Sequence, residues 1–417
     1  MTSGGNKAFR TGASKLLLSA IFGVVGGLFA IAVIGGLDFI LTHIWSNWLG
    51  YNLNDPKRGI VQLVVLLIVG LIIGLLAKRY GPNVGNIESV ISDSLEHGKI
   101  NWKMAFKNVG IGILSISSGA SLGPEAPAAM ISGGVASATA EKLKLNKENS
   151  QIINISAVSG MLGALLSSPF VATSMFMEFS KQKINELRSI VSYTFVAGSF
   201  GIATFFILFN KLFASSFGIP KLAGGPTIYD LLMAFVFGII GAIFAVLVGL
   251  VMRRLEPFFK KLDKKLILRS VVGAAVAGII AVIFPITMFS GQHTMATIIT
   301  QAASYSALVL FLIALTKLFA TATLIRTGFF GGPIFPTFFS GAALGLAMNT
   351  FFHSPVAVAV SATIAGIMII SLQKPLSAAL ITTAIAGVAD ATVIALAVSA
   401  GLVVLVAVER RAKSIKA

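Results

Sequence analysis

The chain has 417 residues, of which 56% are hydrophobic and 11% are charged, with no cysteine and a net charge of +17. A soluble globular chain is nearer a quarter charged, so this is a polytopic membrane protein, and disulfide and thiolate chemistry are excluded. Nucleic-acid binding is excluded too, because the basic residues gather in connections and form no face interleaved with aromatics.

The first apolar run, Leu16–Leu37, follows Lys7, Arg10 and Lys15. A bilayer crossing takes about 20 residues. The run is long and lacks a small-residue cleavage site, so it reads as a retained first span rather than a signal peptide. Asp38, which ends it, is open to an interfacial, structural or dimer-contact role. Arg79–Ile91 (RYGPNVGNIESVI) is a polar connection in which Asn86 suits a turn or a helix N-cap. Leu122–Gly134 (LGPEAPAAMISGG) then holds one carboxylate, Glu125, between two prolines, with no other charge between Lys107 and Glu141. A charge at membrane depth is costly unless compensated, which makes Glu125 a functional candidate. Glu178 follows the apolar Phe170–Met177 and precedes Lys181 and Lys183, so an interfacial ion pair explains it.

In the second half, Leu231–Met252 and Ser270–Gln292 are uncharged runs of spanning length. Asp230 and Asp390 precede apolar runs, as helix-start residues do. Gly328–Gln373 contains no Asp, Glu, Lys or Arg and must hold more than one helix, with a break expected at His353-Ser354-Pro355. Arg253–Arg269 carries seven basic residues, and Arg410–Lys416 carries four. Positive loops mark the cytoplasmic side, so both termini are expected there, with an even number of crossings.

The chain repeats itself. Gly123-Pro124-Glu125-Ala126-Pro127 recurs 209 positions later as Gly332-Pro333-Ile334-Phe335-Pro336. Ser156–Pro169 resembles Ala362–Pro375, with Gly160/Pro169 matching Gly366/Pro375 at an offset of 206. Two similarities at nearly one offset indicate a duplication. Proline suits the first turn of a helix and breaks one elsewhere, so each G-P-x-x-P reads as a helix start before Ala128–Ala140 and Thr337–Thr350. Irregular backbone at membrane depth survives only when buried in protein or lining a cavity. Paired broken helices point to a transporter's binding site, and helix N-termini favour an anion. Glu125 brings its own carboxylate to such a site. It can occupy the site when ionised and leave when protonated, which describes a gate that also carries a proton.

On these motifs the sequence resembles the CLC family of chloride channels and chloride/proton antiporters, from about Lys15 to Arg411. Gly123–Pro127 looks like that family's G-R-E-G-P segment, with Glu125 at the gating glutamate, and Gly332–Pro336 is similar to its G-x-F-x-P segment. Arg79–Ile91 falls at its G-S-G-I-P loop and Met288–Met295, with His293, at the counterpart loop. The resemblance implies anion binding at Asn86, Gly123, Ala126, Gly332, Ile334 and Phe335. It places Asn86 where the coordinating serine usually stands. Phe179 takes the inner proton-transfer glutamate's position, leaving Glu178 one residue away as a candidate relay, and no tyrosine follows Tyr305 to match the pore tyrosine. Phe329, Phe330, Phe335, Phe338 and Phe339 either line the pore or pack a tight helix interface.

The expected fold is therefore an all-α polytopic membrane protein, a CLC-like inverted repeat with broken helices meeting at mid-membrane. It forms one transmembrane domain over 1–417, with halves at about 15–210 and 225–411 and no cytosolic regulatory domain. The expected function is anion transport, most simply of chloride, as a passive channel or a proton antiporter gated by Glu125. Fluoride/proton antiport or small-anion export is the alternative. A homodimer in a prokaryotic plasma membrane is expected, with no cofactor and no metal. A membrane-embedded enzyme fits poorly, since HExxH is absent and the four histidines are scattered. A cation transporter would want more intramembrane carboxylates.

Overall fold

A computed structural model of the chain describes residues 11–50, 58–82, 85–180, 184–210, 217–222, 224–387 and 390–414. The first half contains α1 (Gly12–Ile40), α2 (Arg58–Tyr80), α3 (Ile87–Glu96), α4 (Trp102–Ser117), α5 (Glu125–Lys142), α6 (Lys147–Leu165), α7 (Pro169–Phe179) and α8 (Ile184–Phe209). The second contains α9 (Ile228–Leu262), α10 (Leu266–Ile283), α11 (Gln292–Thr300), α12 (Ala307–Arg326), α13 (Ile334–Phe352), α14 (Val356–Leu372), α15 (Pro375–Ala386) and α16 (Ala391–Ser414). Among the described residues, eight helices are long and apolar enough to cross a membrane.

The duplication is visible in what packs on what. α1 lies against α6 and α8, which also touch each other, and α9 lies against α14 and α16 in the same arrangement. Helices in lipid gain nothing from hiding apolar surface from water, so close backbone approach through small residues holds them together. Gly160 of α6 lies so near Gly23 of α1 and Gly201 of α8 that a Cβ on Gly160 or Gly201 would strike the neighbouring backbone. Gly366 of α14 meets Gly238 of α9 in the same way. The repeat's prolines, Pro169 and Pro375, open α7 and α15. The halves meet through α2 against α10, α7 against α15, and the loops before α5 and α13.

Local chemistry sets the boundaries. Asp230 completes a capping box with Thr227 at the start of α9. His353 adopts φ 53° and ends α13, and Asn349 Oδ1 accepts from Ser354 N at 2.8 Å, so the expected break falls at His353-Ser354-Pro355. Ser270–Gln292 is not one span: α10 ends at Ile283, and Pro285 opens a 3-10 turn on the way to α11. Pro285 has no N–H to continue the helical ladder. The basic 253–269 segment is clamped by Arg326, the last residue of α12. Its guanidinium forks onto Glu256 (3.0 and 3.1 Å) and onto Asp263 (2.9 and 3.1 Å). Those bonds hold the Asp263 carboxyl below its usual range.

Candidate functional site

Between α4 and α5 the chain runs irregularly through residues 118–124, and between α12 and α13 through 327–333. Buried backbone polar groups need partners, and each loop supplies them to the other. Gly123 N donates to Gly332 O at 2.7 Å and Gly332 N to Gly123 O at 2.8 Å, the only isolated bridge pairing among the described residues. Phe330 N donates to Ser115 Oγ at 3.2 Å, and Thr321 Oγ1 donates to Ser121 O at 2.9 Å. Gly119, at φ 87°, accepts from Phe289 N at 3.0 Å. The two G-P-x-x-P segments are thus back to back on an approximate twofold axis.

The helices that follow begin alike. The ladder of α5 starts with Ala128 N to Pro124 O, and that of α13 with Thr337 N to Pro333 O. Pro127 and Pro336 have no N–H. Each helix therefore presents two N–H groups outside its own ladder, those of Glu125 and Ala126 and those of Ile334 and Phe335. The Glu125 carboxylate lies among them, fully buried. Its Oε1 accepts from Ile334 N at 2.5 Å, and the Glu125 and Phe335 N–H groups also face the carboxylate. Oε2 has no partner of normal geometry. No basic side chain pairs with this carboxylate among the described residues. A Cβ on either Gly123 or Gly332 would collide with it, so the two glycines form its seat. A site that holds a desolvated carboxylate on helix N-terminal amides can hold a small anion in its place.

The remaining candidates separate. Ala126 and Ile334 are buried beside the seat. Phe335 reaches the seat through its backbone, while its ring packs against Phe217 (5.4 Å) and Phe338 (5.9 Å). Among the described residues no hydrogen bond joins Asn86 to Glu125. Asn86 is the exposed N-cap of α3, its Oδ1 accepting from Ser89 N at 2.8 Å in a capping box. The preceding Gly85, at φ 114°, lies against Met130 of α5, so the α3 entry flanks the same helix farther along. Glu178 caps α15, with Oε1 accepting from Leu376 N at 2.9 Å and Oε2 from Ser377 N at 2.7 Å. Lys181 and Lys183, its expected partners, lie outside the described residues. Phe179 is buried, with the Lys374 ammonium 5.0 Å from its ring.

Two features are not legible in the sequence: the pairing of Asp38 with His293, and the setting of Lys317. Asp38 of α1 and His293 of α11 pair at 3.0 Å across the halves. They stand in the wall of a cavity of about 930 Å³, a volume that includes open solvent. A narrow adjoining pocket is lined by the same pair and by Pro124, the residue before Glu125. Lys317 of α12 is fully buried, its ammonium held by backbone carbonyls. A lone lysine in the apolar run from Ala307 to Ile325 was the available signal.

Comparison with known proteins agrees with this geometry. "Putative ion-transport protein YfeO" of Escherichia coli (strain SMS-3-5 / SECEC) is 30% identical over 270 residues, 62% of this chain and 61% of that protein. The protein of that name from Shigella boydii serotype 4 (strain Sb227) matches to the same extent. The chain thus spans about three fifths of the length of these curated relatives. A crystal structure described as a slow cyanobacterial Cl⁻/H⁺ antiporter superposes with a TM-score of 0.78 at 16% identity, covering 95% of this chain and 97% of the other. One described as a CLC-type fluoride/proton antiporter gives 0.69 at 18% identity, covering 93% and 94%. At such identities the likeness shows the shared fold. The family model for "Voltage gated chloride channel" matches residues 69–407, which include both helix starts and the glutamate between them, and the chain belongs to that family.

Proposed function

We propose that this protein carries a small inorganic anion, chloride in the first reading, through a pathway that the Glu125 carboxylate closes. One observation carries the reading: Glu125 Oε1 sits on the Ile334 amide, between Gly123 and Gly332, where a permeating anion would bind. The carboxylate is the protein's own stand-in for its substrate. A hydrogen bond to a charged group contributes about 1.5–3 kcal/mol and a neutral one about 0.5–1.5. Protonating Glu125, or displacing it with an anion, therefore frees the seat. Asn86 at the start of α3 and the Asp38–His293 cavity mark the approaches from the two sides. The positive-inside rule puts the 253–269 loop and both termini in the cytoplasm of a prokaryotic cell. Repeat halves of about 15–210 and 225–411 and a homodimer with one pathway per subunit complete the assignment.

A second reading, anion/proton exchange with chloride or fluoride, is favoured by the two solved structures of similar fold, both described as antiporters. Against it stands Glu178, whose two oxygens are engaged by α15. Glu125→Gln tests the common core. In liposomes loaded with chloride or fluoride, with internal pH recorded, the variant should keep anion flux and lose its dependence on pH. Wild-type pH dependence in that variant would end the gate assignment. Proton uptake driven by anion efflux in the wild type would select exchange over passive conduction.

A further inference from the structure

The Asp38–His293 cavity, whose narrow neighbour is lined by Pro124, poses an electrostatic problem for an anion pathway. Asp38 and His293 are the ionisable side chains in its described lining, and the acid repels an anion. The offset lies behind the wall. Lys317 Nζ donates to Thr287 O at 2.8 Å, Met288 O at 3.2 Å and Phe289 O at 2.6 Å, with the Phe339 ring centroid 5.0 Å away. Met288 and Phe289 are cavity-lining residues, as are the adjoining Ser290 and Gly291.

An ammonium has three N–H donors, and all three are taken, so Lys317 cannot ligand an anion directly. Its effect must travel through the field. That effect has two parts. The charge itself stands one backbone thickness from the cavity. Three successive carbonyls also turn toward it, two of them from the cavity-lining Met288 and Phe289, so their negative ends are engaged by the ammonium. No carboxylate pairs with Lys317 among the described residues, although burying a cation without a counter-ion is costly. The position 209 residues earlier, equivalent by the repeat, is Asn108 of α4, buried and neutral. The duplicated framework carries the charge on one side only, which gives the field a direction.

We propose that Lys317 makes the Asp38–His293 cavity accept anions: fixed behind the 287–289 backbone, it offsets Asp38 and concentrates small anions at the approach to Glu125. Lys317 is a positioning residue in this scheme, since it touches the wall and never the anion. The proposal rests on the anion-transport reading above.

The test is the initial rate of chloride and of fluoride uptake into liposomes as a function of anion concentration, for wild type, Lys317→Met, Lys317→Arg and Asp38→Asn. Clefts of one sign change local ion concentration and capture rate by about 10–10³-fold. Lys317→Met should therefore raise the half-saturating concentration about tenfold, with a smaller change in maximal rate, and Lys317→Arg should stay near wild type. Asp38→Asn should lower the half-saturating concentration. A purely structural clip would change maximal rate or yield without this split. Folded Lys317→Met with the wild-type half-saturating concentration overturns the proposal. If that variant does not fold, Asp38→Asn decides, because an unchanged half-saturating concentration there means the cavity is not the route. A wild-type protein that moves neither anion removes the transport reading itself, and the proposal with it.

Discussion

Gly332→Ala tests the proposed gate by altering the seat of Glu125 and leaving its charge in place. Gly332 is outside the left-handed region, so its backbone tolerates alanine. The added methyl would overlap the carboxyl end of Glu125, and the side chain is the part free to leave. Expelling it breaks the Ile334 N–H bond to an ionised carboxylate, about 1.5–3 kcal/mol. At 1.4 kcal/mol per tenfold, occupancy of the closed position falls about 10- to 150-fold. The methyl also narrows the anion's own seat, so absolute flux is the wrong readout. The informative one is the ratio of anion flux at acidic to neutral pH in liposomes. Wild type should show flux rising on acidification, and Gly332→Ala a ratio near one. Gly36→Ala in α1, whose Cβ meets nothing within 4 Å, is the control for an added methyl group away from the seat. A folded Gly332→Ala protein with the wild-type ratio would refute the seating of Glu125 between the two glycines.

The other expectations concern the flanking residues. Glu178→Ala removes the cap of α15 and should lower stability by about 1–2 kcal/mol, read as a fall in melting temperature, while the pH response of anion flux stays unchanged. Asn86→Asp keeps a capping oxygen for α3 but adds negative charge at the pathway's entrance. It should reduce anion flux with little loss of stability, and unchanged flux would leave Asn86 as a cap alone. The Arg326 clamp predicts an acid-sensitive contribution to stability. Asp263 has its folded pKa depressed by Arg326, so its contribution is complete above the unfolded value of about 3.9. That contribution disappears as pH falls through the depressed value. Asp263→Asn should flatten this acid limb of a thermal-stability profile, and an unaltered limb would assign it to other groups.

What sequence reveals here follows from what leaves a local mark. Proline and glycine fix backbone conformation within a few residues, so the helix starts at 124 and 333 and the break at 353–355 were legible, as was the helix-packing repeat of Gly160 and Gly366. Glu125 stood out because nothing nearby in sequence could neutralise it. The partners of Glu178 were not legible: Leu376 and Ser377 are nearly 200 residues away and use backbone N–H groups, which every residue except proline possesses. The same holds for Asp38 with His293 and for Lys317 with three carbonyls. Charge alone marks Ser270–Gln292 as one uncharged run, and the end of α10 inside it is set by Pro285, which interrupts the helix without adding charge.

The site's chemistry comes from the one place where the duplicated motif differs from itself. Position 125 in the first half corresponds to 334 in the second, and the axis through Gly123 and Gly332 brings these two equivalent residues together. One supplies a carboxylate and the other supplies, through its backbone, the amide that binds it. Two glutamates there would place like charges at one seat and raise the cost of ionising either. Two isoleucines would leave the amides facing each other with nothing to close the path. A symmetric fold delivers two helix N-termini to one point, and in the proposed mechanism a single acidic residue turns that point from an anion site into a gated one. Lys317 opposite Asn108 follows the same logic one layer out. In both cases the backbone follows the repeat and the side chains break it, and the proposed pathway would take its direction from that difference.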